Sequence, residues 1–421
     1  MQLALRGLYR SLILCSIQIL VTETGTKAGL HLPGEITDII IDFCHSNLPV
    51  LLSCSLVCRQ WLPASRYHLF RTLCLTEKNA RSLAVILRSR NCTFTGAVHV
   101  LNIDSMPRLS TLNKIVMAMR DWKIELDSLS LNLIRYAGWT LTDSLSSLRP
   151  FCLLLSRFQR LSKLEIKAWY STDALVELAC AFPNLNNLSL AVNAPDGDTG
   201  LNDIHRLPKT LRKLELYSMG NSDNSIFSWL SEQTLPHLRS FHLTRIGADR
   251  SHFQTYLLTV QGQLQHLSIT ICDQGQSFFC CFGPLLIRTV EFEIPDLPQL
   301  RSLSLTAQQS LLPLLRTLIS VKHSPYLQNL TIASTSDFEK SLWVLRTSKD
   351  PKLLLDGLLT SHLTHESDID ILASYEPLAS LKNLIIRPCS LGRDPRVHTE
   401  RFVRNRFPSW EARGVRLHII L

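Results

Sequence analysis

Beyond residue 95 the chain repeats one short arrangement of side chains: apolar, two variable, apolar, one variable, apolar. The hexamer begins at Leu126, Leu161, Leu185, Leu211, Leu238, Leu264, Leu300, Leu327 and Leu381, and reads, for example, LSKLEI, LRKLEL and LQNLTI. Its apolar fourth and sixth residues alternate with outward third, fifth and seventh residues, which predicts a short strand with one buried face. The leading leucine turns the chain into that strand and helps fill the core. Between strands the period becomes helical. Phe253, Tyr256, Leu257 and Val260 fall at i, i+3, i+4 and i+7, with Gly262 placed as a C-cap. Ser171, Thr172 and Asp173 are placed to cap a helix carrying Leu175, Leu178, Ala179 and Phe182. Nearer the start, Pro33 suits a first helical position, and Ile36, Ile39, Ile40 and Phe43 form one apolar helical face. Two further short segments, Leu51–Trp61 and Pro63–Phe70, complete a small helical module.

Successive hexamers start 24 residues apart from Leu161 to Leu185 and 27 apart from Leu211 to Leu238. That is the spacing of leucine-rich repeats, whose units bury surface only against their neighbours. The long interval from Leu327 to Leu381 predicts a degenerate unit near Leu354, and Ile287, Val290 and Phe292 suggest another. Regular repeats carry Asn or Cys three residues after the hexamer. Asn193, Cys272 and Cys389 comply, whereas Trp169, Met219 and Ile246 stand at equivalent places, so the array is expected to be irregular. Thr399 is placed to cap a helix through Phe402 and Val403, and Val415, Leu417 and Ile419 alternate as a closing strand. The fold class is therefore α/β: a small N-terminal helical module followed by an irregular leucine-rich-repeat solenoid over residues 95–421.

With 45% hydrophobic and 19% charged residues the composition is globular and excludes a mostly disordered chain. The net charge of +9 is spread along the sequence, with one denser stretch from Arg387 to Arg416. There Arg401, Arg404 and Arg406 suit an exposed terminal face. Twelve scattered cysteines without a Cys-x-x-Cys pair read as reduced thiols of a cytoplasmic or nuclear protein. Residues 1–29 form a separate segment of uncertain role. Arg6 and Arg10 precede an apolar run, Leu12–Val21, that is too short to span a bilayer and lacks a small-x-small cleavage site.

Leu32-Pro33-Gly34-Glu35-Ile36, followed by Leu52-x-x-Cys-Ser-Leu-Val-Cys-Arg-x-Trp61 and Tyr67-His68-Leu69-Phe70, resembles the F-box, in the form abundant in fungal F-box proteins. The resemblance covers residues 30–75. It implies that Leu32, Pro33, Glu35, Ile36, Leu56, Val57 and Trp61 contact the Skp-family adaptor of a cullin-based ubiquitin ligase. The repeats resemble the substrate-binding halves of such proteins. The competing expectation for the module is that Ile39, Ile40, Val57 and Trp61 form its own core.

On the repeats, the outward strand positions are the places for a target protein to bind: Lys163 and Lys167, then Lys213 and Tyr217, then His242 and His266. Tyr217 flanked by Lys213 is the expected anchor. No catalytic constellation, phosphate loop or dinucleotide fingerprint occurs, and no cofactor is implied. His365-Glu366 lacks the second zinc histidine, with Ile369 in its place, and the Asp196-to-Gly200 stretch lacks the glycine spacing and acidic twelfth position of a calcium loop. The sequons at Asn187 and Asn329 arise from the hexamer itself; a third lies at Asn91. The sequence thus predicts a non-catalytic receptor joining an adaptor, and through it a cullin, to an unidentified target, with no nucleic-acid or membrane partner. A non-degradative scaffold and a secreted repeat receptor are the alternatives.

Overall fold

The computed structural model describes residues 33–104, 108–132, 150–168, 172–192, 205–218, 223–244, 251–271, 294–307, 324–334, 378–387 and 408–419. They divide into two units, residues 33–72 with 93–98, and residues 73–92 with 99–419.

The first unit holds three short helices: α1 (Gly34–Phe43), α2 (Leu48–Val57) and α3 (Leu62–Phe70). Pro33 stands just before α1 as its cap and not inside it. The Val50 N–H donates to the Asn47 side chain at 3.4 Å to start α2, and Pro49 and Pro63 occupy first-turn positions where the missing N–H costs nothing. Ile41, Cys44, Leu51 and Cys54 form the core, with Val50, Trp61, Ala64 and Leu69 packed against it. This corrects the helical face read from the sequence. Ile36, Ile39 and Phe43 are exposed, and α1 buries Thr37 and Ile41 instead, followed by Cys44 at its C-cap. Thr37 tolerates burial because its hydroxyl donates to the Gly34 carbonyl at 2.6 Å, and buried Ser65 donates to Trp61 O at 2.8 Å. His68 Nε2 meets Asp42 Oδ1 at 2.6 Å, which ties α3 to α1, and Phe70 stacks on Phe94 at 4.3 Å.

The second unit is built on twelve strands that hydrogen-bond in the order of the sequence. They are β1 (Thr72–Leu75), β2 (Val100–Ile103), β3 (Ser128–Asn132), β4 (Lys163–Ala168), β5 (Asn187–Val192), β6 (Lys213–Ser218), β7 (Ser240–Thr244), β8 (His266–Ile271), β9 (Ser302–Ala307), β10 (Asn329–Ser334), β11 (Asn383–Arg387) and β12 (Arg416–Ile419). The pairings from β2 to β12 are parallel and place equivalent hexamer positions opposite one another, as in Lys163↔Asn187↔Lys213↔Ser240. A parallel pair cannot be joined by a hairpin, so each connection is a crossover. Helices in these connections include α4 (Ala80–Arg88), α5 (Leu109–Asp121), α6 (Thr172–Cys180), α7 (Asp223–Ser231) and α8 (Ser251–Val260), and α9 (Pro408–Ala412) precedes β12.

The hexamer accounts for this register. Its first, fourth and sixth residues are buried in unit after unit, as at Leu211, Leu214 and Leu216. The second residue adds a backbone clamp: the Asp127 carbonyl accepts N–H bonds from Ser162 and Lys163, and the Arg212 carbonyl accepts them from Arg239 and Ser240. Each parallel step from β2 to β11 thus satisfies two donors where the chain enters a strand, while at β12 only the Arg416 N–H returns to the Lys382 carbonyl. The pattern begins earlier than the first hexamer noted in the sequence, with Leu101 and Ile103 buried in β2. Leu354 and residues 287–292 lie outside the described residues. β8 pairs directly with β9, and β10 with β11. Asn193, Cys272, Cys389 and residues 399–403 also lie outside the described residues.

Gly262 does not serve as a left-handed cap. After α8 the N–H groups of Gln263 and Leu264 both return to the Val260 carbonyl, a turn that needs no positive φ. Left-handed residues instead follow α5 and α9, at Lys123 (φ 53°) and Gly414 (φ 77°). In each, the left-handed N–H bonds three residues back and the next N–H five residues back, as in Lys123 N–H to Arg120 O and Ile124 N–H to Met119 O. This is the Schellman closure. Among the described residues no helix is long and apolar enough to cross a membrane.

Candidate functional site

Two surfaces collect the residues singled out in the sequence. On the helical unit, Pro33, Glu35, Ile36, Leu56 and Val57 are exposed, Leu56 to 85%. Trp61 is half-buried and packs against the module's core of Ile41, Cys44, Leu51 and Cys54. Leu32 and the segment 1–29 lie outside the described residues. Sequence reasoning read Ile39 and Phe43 as an apolar helical face and did not name them, Leu48 or Leu52 as contact residues, yet all four are exposed. A signal was present: Leu48, Leu52 and Leu56 recur every fourth residue, the spacing of one face of α2.

The second surface is the outward face of β3–β7. The register sets Ser130, Glu165, Ser189, Glu215 and His242 in one row across five strands, and Asn132, Lys167, Ala191, Tyr217 and Thr244 in the next. Lys167 Nζ lies 2.8 Å from Glu165 Oε1, and Lys213 Nζ lies 2.6 Å from Glu215 Oε1. The Ser130 hydroxyl donates to the other Glu165 oxygen at 3.3 Å. Tyr217 and His242 approach with ring centroids 5.8 Å apart, and His242 Nε2 meets Thr244 Oγ1 at 2.8 Å. Between the long side chains of β4 and β6, β5 contributes Asn187, Ser189 and Ala191. Ser189 and Ala191 are buried although their positions face outward. The neighbours shield them.

Burial pushes the Glu215 carboxyl up, but the hydrogen bond and charge of Lys213, aided by His242 and Ser189, outweigh it and leave the group below its ordinary value. Burial drives His242 down, opposed by Glu215 and reinforced by Lys213. Tyr217 is raised by burial and by the two carboxylates, while Lys167 is raised by its bond to Glu165. The result is a face rich in donors. Each ammonium carries three N–H groups, and one carboxylate contact leaves others available. His266 is exposed at the third hexamer position of β8, and Lys163 is exposed at the same position of β4. Of the six outward residues named from the sequence, Lys213, Tyr217 and His242 form one contiguous group. Lys167 reaches it through its charge interaction with Tyr217. Among the described residues no group of His, Cys, Asp and Glu is arranged to hold a metal ion.

No protein-family model matches the chain, and no curated protein matches it. Among solved structures, it is similar to a Bacteroides fragilis protein determined as a structural-genomics target, at 12% identity and a TM-score of 0.36, over 82% of this chain and 72% of that one.

Proposed function

We propose that this chain is the substrate-receptor subunit of an SCF-type ubiquitin ligase. In this reading the helical unit is an F-box that docks on a Skp-family adaptor, and the strands form an irregular leucine-rich-repeat solenoid that holds the target. The observation that carries it is the crowding of apolar surface. Of the fourteen exposed large hydrophobic side chains among the described residues, eight lie between Ile36 and Tyr67. A surface of that kind marks a protein–protein contact. Pro33, Glu35, Ile36, Leu56 and Val57, with Leu32, supply the adaptor contacts, and Trp61 holds the helices that present them. Lys213, Tyr217 and His242 supply a target contact, joined by Lys163, Lys167 and His266.

The mechanism is proximity. Holding a target beside transfer machinery located elsewhere in the assembly raises its effective concentration, so ubiquitin transfer requires no catalytic group in this chain. Reduced thiols fit a cytoplasmic or nuclear setting.

Changing Ile36 and Leu56 together to Ala tests the adaptor contact, because both are exposed and their loss spares the core. Loss of buried anchors costs about 2 kcal/mol or more, so capture of purified adaptor should fall at least about tenfold at unchanged melting temperature. Undiminished capture overturns the reading. Cullin and ubiquitin conjugates in a pull-down from proteasome-inhibited cells separate a degradative receptor from a scaffold.

A further inference from the structure

The second and third hexamer positions line up along the edge where the chain enters the strands. From β6 to β12 they read Arg212-Lys213, Arg239-Ser240, Gln265-His266, Arg301-Ser302, Gln328-Asn329, Lys382-Asn383 and Val415-Arg416. Cations recur and no acid occurs. Arg212, Arg239, Arg301, Lys382 and Arg416 are all exposed. Among the described residues none of the five has an ion-pair partner, whereas Lys213 is held by Glu215. The same edge nearer β3 is different. There Asp127 faces His99 at 3.0 Å, and Glu125 faces Arg160 at 2.5 Å. The backbone clamp fixes the order of the cations, since Arg239 N–H bonds Arg212 O, Gln265 N–H bonds Arg239 O and Arg301 N–H bonds Gln265 O. His266 feels the row, being lowered by burial and by the charge of Arg301.

We propose that this edge is a docking surface for an extended acidic segment of a partner protein. Neighbouring strands stand about 4.8 Å apart, so Arg212 and Arg239 lie one step apart, and Arg301 and Lys382 follow at intervals of two steps, about 9.6 Å. Six steps from β6 to β12 cover about 29 Å, the length of about nine extended residues. Same-side carboxylates or phosphates along such a segment recur about every 6.6 Å, between the one-step and two-step cation intervals, so the long Arg and Lys side chains reach them from either side. The complementary charge also steers encounter. A single-stranded nucleic acid is the poorer fit. These fourteen positions contain no Phe, Tyr or Trp ring on which bases would stack, and only the His266 imidazole among them is aromatic. The inference does not rest on the adaptor reading and stands or falls with direct binding.

The test is fluorescence anisotropy on the full chain with labelled decaglutamate, a phosphoserine–glycine peptide of equal length, and oligothymidylate. The edge variant combines Arg239→Glu, Arg301→Glu and Lys382→Glu. A control with the same charge change combines Lys78→Glu, Arg81→Glu and Arg88→Glu, exposed cations in and beside α4. Saturable, salt-sensitive binding of either peptide that falls at least about tenfold in the edge variant and less than twofold in the control supports the proposal. The tighter of the two peptides identifies carboxylate or phosphate as the preferred anion. Absence of peptide binding to the unmodified chain, equal loss in both variants, or tighter binding of oligothymidylate through the same cations overturns it. Should the edge variant melt early, Gln at the same three positions provides the same comparison without introducing repulsion.

Discussion

The Lys213 ammonium lies 2.6 Å from the Glu215 carboxylate on the outward face of β6, while Leu214 between them is fully buried. In the proposed receptor this alternation separates recognition from stability. An ion pair this exposed contributes at most about 1 kcal/mol. Replacing Lys213 and Tyr217 together by Ala is expected to leave the melting temperature nearly unchanged while weakening target capture and sparing adaptor binding. Leu214→Ala removes contacts between neighbouring units and should cost about 2–5 kcal/mol. Thermal melting and quantitative pull-down on the same variants check both outcomes. A double variant that melts like Leu214→Ala would place those side chains among the structural ones.

Lys123 and Gly414 close two helices in the same way, but only one is a glycine. A left-handed conformation costs a residue with a Cβ about 1 kcal/mol relative to Gly. Lys123→Gly is therefore expected to stabilise the second unit by about 0.5–1 kcal/mol, and Gly414→Ala to destabilise it by about 1 kcal/mol. No atom lies within 4 Å of a Cβ added at Gly414, so backbone strain and not a clash sets the second value. Chemical denaturation of the two variants measures both signs.

Burial lowers the imidazole of His242 below its ordinary value. The unfolded chain then binds a proton more readily than the folded one. The stabilising difference is fully present above the unfolded pKa of about 6.5 and is lost as pH falls through it toward the folded pKa. His242→Gln should therefore lose less melting temperature than the parent chain on acidification from about pH 7.5 to about pH 5.5. His266 is lowered as well and is unchanged in the variant, so the difference isolates His242. Identical pH profiles would show that His242 is solvated.

Much of the second unit was legible because its signal is local. Alternation of buried and outward residues defines a strand within six positions, and the described strands β3–β11 each begin at the third position of a hexamer. The outward site was legible to the same extent: position within the hexamer was enough to name Lys213, Tyr217 and His242. Their mutual contacts were not. Tyr217 meets His242 only because β6 pairs with β7 in a particular register, and that register depends on residues some twenty-five positions apart.

The helical unit shows the limit most clearly. Its sequence determined three short helices, through Asn47 at a cap and Pro49 and Pro63 in first turns, since these preferences act within one turn. It also determined that α1 is rich in apolar residues. Which of them face inward was decided by tertiary packing alone. Ile36, Ile39 and Phe43 have the spacing of a core stripe, yet Thr37, Ile41 and Cys44 occupy the inside, where α2 and α3 supply Leu51, Cys54 and Trp61. Helical periodicity tells which side chains share a face, but burial of that face requires a partner surface. Here the unit's own helices cover one stripe and leave the more apolar one exposed.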